Sequence, residues 1–307
     1  MNNTVKVSAV VVTFNRKDTL LQCLNAIELQ SLKPENVFIL DNASTDGTQQ
    51  LLKDHGYIDT LKYNIKFNYI RNDKNEGGAG GFYRGMKIAH ETDNDNALWV
   101  MDDDGIPDKD CLKNLLPYLS DYDYISPLVV DIENEEMTSF MGCTVSDFIR
   151  GKENGIVKNC ANPFNGILYS SKLIKSIGYP KKEMFIWGDE INYDLRAREK
   201  GFCPIVVINA IHRHPLNRQL SVRYLGKRSM TISDKDWKLF CYIRNKTYNN
   251  RKFKGTTNSM KEMISDYFRF CCYYLLQCHQ PKKMKIVTEA MIKGFRSDFT
   301  GLDKYMK

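Results

Sequence analysis

The sequence predicts an α/β protein in which a mostly parallel β-sheet is flanked by helices and followed by a C-terminal helical region. Segments rich in β-branched residues alternate with segments of helical periodicity through most of the first 217 residues. Polar clusters directly follow several predicted strands, which is where parallel sheets bind ligands. In residues 218–307 apolar residues recur at helical spacing, and the region contains 20 basic residues and only 7 acidic ones. We therefore predict a first domain over 1–217 and a second over 218–307.

The first half of the chain repeats a strand-then-helix pattern. The helix predicted over Asn15–Gln30 has apolar residues at helical spacing, and turn-forming residues 42–47 precede a helix that Ser44 or Thr45 would cap. The predicted strands are Val5–Thr13, Val37–Leu40, Ile65–Ile70 and Ala97–Met101.

The second half is less regular until the chain becomes helical. Further strands are predicted at Tyr124–Val130, Phe140–Thr144, Asn165–Ser170 and Pro204–Asn209. A helix is predicted within Met184–Lys200. An amphipathic helix follows over Ser259–Gln280, and Pro281 separates it from a basic helix that extends to Lys293.

Charge and cysteine content limit the class of protein. Residues 1–217 carry a net charge of −6 and residues 218–307 a net charge of +13, which indicates an anionic partner for the second region, such as lipid headgroups, a lipid diphosphate or nucleic acid. Nine cysteines without CxxC spacing indicate reduced thiols and argue against structural zinc. We see no signal peptide and no apolar run long enough to span a bilayer, so we expect a cytoplasmic protein.

Three consecutive carboxylates follow the predicted strand ALWVM. Asp102, Asp103 and Asp104 repel one another, and a divalent cation would remove that cost. Oxygen ligands suit Mg²⁺ or Mn²⁺, and alternate residues of an extended segment point the same way, so Asp102 and Asp104 are the candidate ligands. The alternative is a solvated acidic turn that caps the next helix.

A glycine-rich segment, NEGGAGG, precedes a helix predicted to begin at Phe82. Its glycines would let backbone amides approach a bound anion closely, and Arg71 and Arg84 flank it. The alternative is a flexible loop with surface arginines. The glycines concerned are Gly77, Gly78, Gly80 and Gly81.

Two further groups are candidates for catalysis or metal binding. Asp189 and Glu190 follow Trp187 at a predicted helix N-terminus, where a carboxylate serves either as a general base or as a helix cap. His212 and His214 follow an apolar run, and either ring would complete a metal site or serve only a structural role.

Several of these motifs resemble one known family. VSAVVVTFNR, FILDNASTDGT and WVMDDDG, in this order within residues 5–214, look like family 2 glycosyltransferases of the Rossmann-like GT-A fold. NEGGAGGFYRG, FIWGDEINYDLRA and AIHRHP resemble bacterial galactofuranosyltransferases within that family, with rhamnosyltransferases as close relatives. The segment YIRNKTYNNRK recurs in form among these enzymes.

The resemblance implies an inverting transfer of a sugar, galactofuranose in the first instance, from a UDP-sugar to a saccharide or lipid-linked saccharide in cell-surface polysaccharide synthesis. It implies Mn²⁺ or Mg²⁺ bound by Asp102, Asp104 and His212, with His214 as the competing ligand. Glu190 would be the base, but the family more often has aspartate there, which leaves Asp189 as a competitor. Trp187 and Asn165 would contact the acceptor. The donor would be bound by Thr13, Phe14, Asn15, Asp41, Arg71, the four glycines, Asp102 and Asp103.

Other functions remain open at this point. The alternatives are a rhamnosyltransferase or another UDP-hexose transferase, a nucleotidyltransferase, and a non-catalytic binder. We expect no nucleic-acid partner. The basic C-terminal helices are interpreted as a platform on the inner face of the membrane, with an ordinary helical subdomain and a self-association surface as alternatives.

Overall fold

The computed structural model describes residues 5–93, 96–216, 220–224 and 228–306. Internal contacts divide the chain into two compact units. The sheet unit comprises Met1–Lys182 and Tyr193–Asn217, and the helical unit comprises Glu183–Asn192 and Arg218–Lys307. The segment that carries the candidate base therefore belongs to the helical unit, although it precedes residue 217.

The sheet unit is built on one mixed sheet. Within the described residues ten strands join in the order β3-β4-β2-β1-β5-β9-β7-β10-β6, and β8 pairs with β10. The strands are β1 Val7–Thr13, β2 Asn36–Asp41, β3 Thr60–Lys62, β4 Ile65–Arg71, β5 Ala97–Asp102, β6 Ile106–Pro107, β7 Tyr124–Asp131, β8 Ile156–Lys158, β9 Asn165–Ser170 and β10 Ile205–His214. The predicted α/β architecture is confirmed, and the antiparallel strand β9 between β5 and β7 makes the sheet mixed.

Strand register brings the predicted polar clusters to one edge of this sheet. Strands β4, β2, β1 and β5 are parallel neighbours. In this register Thr13 pairs with Asp41, Asp41 pairs with Arg71, and Val12 pairs with Asp102. The last residues of four strands therefore lie side by side, as expected for a ligand site of an α/β sheet.

Helices cover both faces of the sheet and explain why β1 is apolar without alternation. Ala9 and Val11 pack in one core cluster with residues of α1, whereas Val10 and Val12 pack in a second cluster with residues of α3. The helices of this part of the chain are α1 Lys17–Glu28, α2 Thr48–Asp54, α3 Gly77–Asp93, α4 Cys111–Leu115, α5 Val145–Phe148, α6 Ser171–Ile177 and α7 Asp189–Glu199, of which α7 begins in the helical unit.

Two local predictions are wrong. Residues 140–143 form turns, and Thr144 makes a single antiparallel bridge with Met137, so Phe140–Thr144 is not a strand. Helix α2 has Gly47 at its N-cap with a positive φ of 89°, not Ser44 or Thr45. The side chain of Asp46 accepts the backbone N–H of Thr48 instead, which satisfies a free donor of the first turn.

Besides Glu183–Asn192, the helical unit contains a hairpin and three long helices. The hairpin pairs β11 Leu220–Tyr224 with β12 Arg228–Ile232, and the helices are α8 Asp236–Lys254, α9 Thr256–Cys271 and α10 Pro281–Phe295. A π-helical turn, Cys272–Gln277, extends α9, and Pro281 begins α10 as predicted for a helix breaker. Within the described residues, none of the helices combines the length and apolar character that crossing a bilayer requires.

Candidate active site

The acidic cluster lies at the end of β5, where three potential metal ligands converge. One ligand atom each of Asp102, Asp104 and His214 lies within 4.8 Å of the others. The His214 Nε2 atom is 3.0 Å from Asp104 Oδ1. Two carboxylates and an imidazole form a donor set that suits Mn²⁺ and accommodates Mg²⁺.

Burial makes this cluster electrostatically costly. Burial, followed by repulsion from Asp104 and Asp103, raises the pKa of Asp102 to about 8. Burial likewise raises the pKa of Asp103 to about 6, against the opposing effect of the Arg16 charge. Three adjacent ionised carboxylates are thus disfavoured at neutral pH, and a divalent cation between them would offset both desolvation and repulsion.

The chain itself supplies one cation to the cluster. Arg16 Nη1 donates to Asp104 Oδ2 at 2.6 Å and to Asp103 Oδ1 at 3.1 Å. Thr13 Oγ1 donates to Asp103 Oδ2 at 2.7 Å. Asp103 is therefore fixed by its neighbours, whereas Asp102 and Asp104 contribute the candidate metal ligands. Arg16 was not singled out from the sequence, although it directly follows Asn15 at a strand end where donor-binding residues were expected.

The structure places His214, rather than His212, with the carboxylates. The ring of His212 is fully buried between Gly105 and Gly166, and a Cβ atom at either glycine would lie within 2.6 Å of a ring nitrogen. Neither ring nitrogen of His212 has a hydrogen-bond partner among the described residues, and burial lowers its pKa to about 3, so the ring is neutral. Burial also opposes protonation of His214, but its hydrogen bond to Asp104 and the charges of Asp104 and Asp102 raise its pKa.

Asp41 organises the neighbouring strand ends. Its buried carboxylate accepts hydrogen bonds from the hydroxyl of Tyr69 at 2.6 Å, from Arg71 Nη1 at 2.8 Å and from the backbone N–H of Ser44 at 2.7 Å. Arg71 Nη2 also donates to the Ser44 carbonyl at 2.7 Å. Arg71 remains 37% exposed and lines a cavity of about 410 Å³ with Ser44 and Thr45. Asp41 therefore fixes an arginine that faces this cavity.

Asn15 joins the ends of β1 and β2. It has a positive φ of 52°, and its side-chain oxygen accepts the backbone N–H of Thr45 at 2.6 Å. Its own N–H donates to the hydroxyl of Ser44 at 2.9 Å. The preceding Phe14 is 39% exposed. This geometry leaves an aromatic ring accessible beside the cluster of strand ends.

The glycine-rich segment begins helix α3, which starts at Gly77 rather than at Phe82. A Cβ at Gly81 would lie 2.5 Å from Val12 Cγ1, so this glycine allows α3 to pack closely on β1. A Cβ at Gly80 would lie 2.5 Å from the Glu76 side chain, whereas one at Gly78 would meet nothing within 4 Å. The glycines of this segment therefore belong to helix α3, and Gly81 has a packing role that the sequence did not reveal.

Asparagine side chains hold the start of α3 and the strand next to Asp102. Asn42 Nδ2 donates to the Gly77 carbonyl at 2.8 Å, and Asn42 Oδ1 accepts the N–H of Glu76 at 3.0 Å. Asn165 pairs in register with Met101 and donates to the Pro163 carbonyl at 2.9 Å. Its buried Oδ1 has no hydrogen-bond partner among the described residues.

The candidate base lies on a segment of the helical unit, directly before and within the first turn of α7. Trp187 and Gly188 have positive φ values of 59° and 94°, and the chain turns there into the helix that begins at Asp189. Asp189 is buried, whereas Glu190 is half-buried and accepts the Gly188 N–H at 2.8 Å. The ring of Trp187 lies 6.3 Å from that of Tyr242.

Helix α8 fixes this segment through side-chain hydrogen bonds to its carbonyls. Asn245 Nδ2 donates to three of them, those of Met184, Ile186 and Trp187, at 2.7–3.0 Å. The fully buried Arg244 donates to the Met184 carbonyl at 2.9 Å and to that of Phe299 at 3.1 Å. Asn249 Nδ2 donates to the Gly188 carbonyl at 2.8 Å. These positioning residues lie in the YIRNKTYNNRK segment, which was the only sequence signal for them.

Comparison with known proteins identifies the family. The family model described as glycosyl transferase family 2 matches residues 8–163, just over half of the chain. The chain belongs to this family. The glycosyltransferase thus carries its candidate metal cluster at 102–104 inside the matched region, and family membership leaves the nucleotidyltransferase and non-catalytic alternatives without support.

Curated relatives of this glycosyltransferase include a galactofuranosyltransferase and a rhamnosyltransferase. It is 26% identical over 291 residues to galactofuranosyltransferase GlfT1 of Mycolicibacterium smegmatis, covering 90% of this chain and 92% of the relative. It is 30% identical over 117 residues to the O-antigen chain rhamnosyltransferase RfbN of Salmonella typhimurium, covering 38% of this chain and 34% of the relative.

Solved structures share the GT-A fold of the glycosyltransferase. The crystal structure of S. aureus TarS 1–349 in complex with UDP-GlcNAc has a TM-score of 0.58 and 16% identity, covering 94% of this chain and 81% of that chain. The structure of GalNAc-T7 with UDP, GalNAc and Mn²⁺ has a TM-score of 0.58 and 14% identity, covering 82% of this chain and 48% of that chain. The predicted GT-A architecture is therefore confirmed.

Proposed function

We propose that this glycosyltransferase transfers galactofuranose from UDP-galactofuranose to a saccharide or lipid-linked saccharide acceptor with inversion at the anomeric carbon. One observation carries the proposal: the similarity to GlfT1 extends over 90% of this chain and 92% of the relative. An alignment of that extent includes most of both units, whereas the similarity to the rhamnosyltransferase RfbN is limited to 38% of the chain.

The donor diphosphate would bind at the acidic cluster with Mn²⁺ or Mg²⁺ held by Asp102, Asp104 and His214. His214 replaces His212 as the proposed third ligand because its Nε2 atom lies beside Asp104, while His212 is enclosed by glycine backbone. When bound, the cation would neutralise the charge that develops on the departing diphosphate. Arg16 contacts Asp104 and the neighbouring Asp103, and it would turn to a phosphate oxygen once a cation binds Asp104.

The nucleotide would occupy the strand ends beside this cluster, with Thr13, Phe14, Asn15 and Arg71 in contact with the uridine or the diphosphate. Asp41 has no exposed surface and is enclosed by Tyr69 and Arg71. Its direct contact with uridine would require Arg71 to move, so we assign Asp41 first to orienting Arg71. Gly77, Gly78 and Gly80 would line the donor, whereas Gly81 would act through packing on Val12.

Glu190 would be the general base, with Trp187 and Asn165 contacting the acceptor sugar. The base removes the proton of the acceptor hydroxyl while the hydroxyl oxygen attacks the anomeric carbon of the donor sugar. The bond from that carbon to the diphosphate oxygen breaks, and UDP leaves. Glu190 is preferred to Asp189 because Glu190 is partly exposed, whereas Asp189 is buried and only 5% exposed. The hydrogen bond from the Gly188 N–H to Glu190 Oε2 would hold the carboxylate in a fixed orientation.

A donor panel tests this assignment. Purified protein, Mn²⁺ and a saccharide acceptor would be supplied in turn with UDP-galactofuranose, UDP-galactopyranose, UDP-GlcNAc and dTDP-rhamnose, with measurement of nucleotide release and of the glycosylated product. We expect kcat/KM for UDP-galactofuranose to exceed the others by at least about 100-fold, as for sites that bind substrate hydroxyls directly. Faster transfer from dTDP-rhamnose would favour the second candidate, a rhamnosyltransferase, and refute the proposal.

A further inference from the structure

Helix α9 and the turn that follows it expose an apolar stripe in addition to their buried face. Ile264, Phe268 and Leu276 are 64%, 60% and 71% exposed. Side chains three or four positions apart lie on one side of an α-helix, so the exposed apolar residues of α9 share one side, and those of the π-helical turn follow it. We call it the α9 stripe, and its members are Met260, Ile264, Tyr267, Phe268, Leu275 and Leu276.

A groove continues this stripe along α10. It has a volume of about 620 Å³, and Leu275 lines it as well as belonging to the α9 stripe. Met284 and Ile292 contribute further apolar surface, while Lys285 and Arg296 contribute positive charge. The groove thus combines an apolar lining with basic side chains, which matches a lipid chain beside its phosphate headgroup.

The charges around the stripe and the groove are unbalanced. The carboxylates of Glu262, Asp266, Glu289 and Asp298 each form an ion pair with a lysine of the helical unit. In the part of the chain that the structure describes, no ion pair with a carboxylate is found for Lys261, Lys282, Lys285 and Arg296, all of which are exposed. The acidic groups here are already neutralised, and the remaining net charge is positive.

We propose that the α9 stripe and the basic groove dock on an anionic lipid bilayer. The exposed apolar side chains would enter the headgroup region, the groove would accept a lipid chain, and the four cations would contact phosphates. A second copy of the chain fits less well, because a two-fold contact uses the same patch on both copies and would bring two sets of these cations into one interface. The inference does not depend on which sugar the enzyme transfers.

Vesicle flotation tests the proposal with the full chain. Phosphatidylcholine vesicles with and without phosphatidylglycerol would be compared, and wild type should bind the anionic vesicles at least about 25-fold more strongly. Phe268→Ser combined with Leu276→Ser should abolish detectable flotation. Lys285→Glu combined with Arg296→Glu should weaken binding by at least about 25-fold, since each basic side chain near the surface contributes roughly fivefold.

Matched controls separate this face from general surface effects. Leu61→Ser removes a leucine that is 72% exposed in the sheet unit, and Lys200→Glu reverses an exposed lysine there; both should float like wild type. Circular dichroism melting would verify that each variant is folded. Equal binding to neutral vesicles, unchanged binding of the double variants, or a concentration-dependent dimer that Phe268→Ser disrupts would each overturn the proposal. Binding to RNA in place of anionic vesicles would also overturn it.

Discussion

The acidic cluster and the segment that carries the candidate base are positioned by different physical means. Asp102 ends strand β5, whose register with its parallel neighbour β1 places the acidic cluster, and the local cost of the cluster is electrostatic. Residues 184–188 lie before α7, and donors on α8, chiefly Asn245 and Arg244, hold their carbonyls. The position of the acidic cluster depends on the hydrogen bonds between the strands of the sheet. The position of residues 184–188 depends on a few side-chain hydrogen bonds.

This difference predicts which mutations separate chemistry from stability. A substitution in the acidic cluster removes a proposed metal ligand and also relieves repulsion, so activity should fall without comparable loss of the fold. A substitution among the donors of α8 leaves buried carbonyls unpaired, so stability and activity should fall together. The predictions below are ordered from the largest expected effect to the smallest.

Asp104→Ala should cause the largest loss. Removal of a proposed metal ligand should lower kcat/KM by about 10⁴-fold, which corresponds to a loss of several kcal/mol of transition-state stabilisation. Initial rates and calorimetric UDP binding with Mn²⁺ would measure the effect. Asp110→Ala, which changes an exposed aspartate paired with Ser31, is the control and should retain activity. Mn²⁺-dependent UDP binding that persists in Asp104→Ala would show that this carboxylate does not bind the metal.

Glu190→Gln should reduce turnover by about 10³-fold, the usual contribution of a general base. Asp189→Asn should reduce it less, and donor affinity should be retained in both variants because neither is assigned to donor binding. Single-turnover rates and UDP binding would separate chemistry from affinity. If Asp189→Asn is the more damaging substitution while both proteins remain folded, the base is Asp189.

Asn245→Ala should lower the free energy of unfolding by about 2 kcal/mol, because the carbonyls of Ile186 and Trp187 lose the side-chain donor. The Met184 carbonyl keeps its hydrogen bond from Arg244. Turnover should fall as well, since the same bonds hold Trp187 in place. Chemical denaturation and kcat would be measured on the same sample. Asn258→Ala removes an exposed asparagine that makes one long bond, at 3.3 Å, and should change stability by less than about 0.5 kcal/mol. Full stability of Asn245→Ala would contradict the role given to α8.

Gly81→Ala should destabilise the protein by about 1–3 kcal/mol, because its methyl group would overlap Val12. Gly78→Ala has free space around the new methyl group and should change stability by no more than about 1 kcal/mol, in the stabilising direction. Thermal melting tests this contrast. A loss of UDP-sugar affinity in Gly78→Ala, with stability kept, would support a donor contact at this glycine. Unchanged affinity would remove Gly78 from the donor site.

Much of the sheet unit could be predicted because its signals are local. β-Branched runs identify buried strands, and polar residues directly after them identify the ligand-binding edge, as Thr13, Asp41 and Asp102 illustrate. Residues 140–144 misled the prediction because a short apolar run also fits a turn with isolated bridges. The edge strand β3 has no strong pattern of burial and was missed.

The sequence by itself determined the α/β class, the family and the strand ends at which the polar clusters lie, because the two-residue period of strands and the spacing of motifs are local properties. Only the tertiary structure decided that His214 rather than His212 lies beside Asp104, that Gly81 packs on Val12, and that residues 183–192 group with the helical unit. Such features depend on contacts between residues far apart in the chain, where the close approach of a ring, a backbone or an amide donor is set by packing and by strand register.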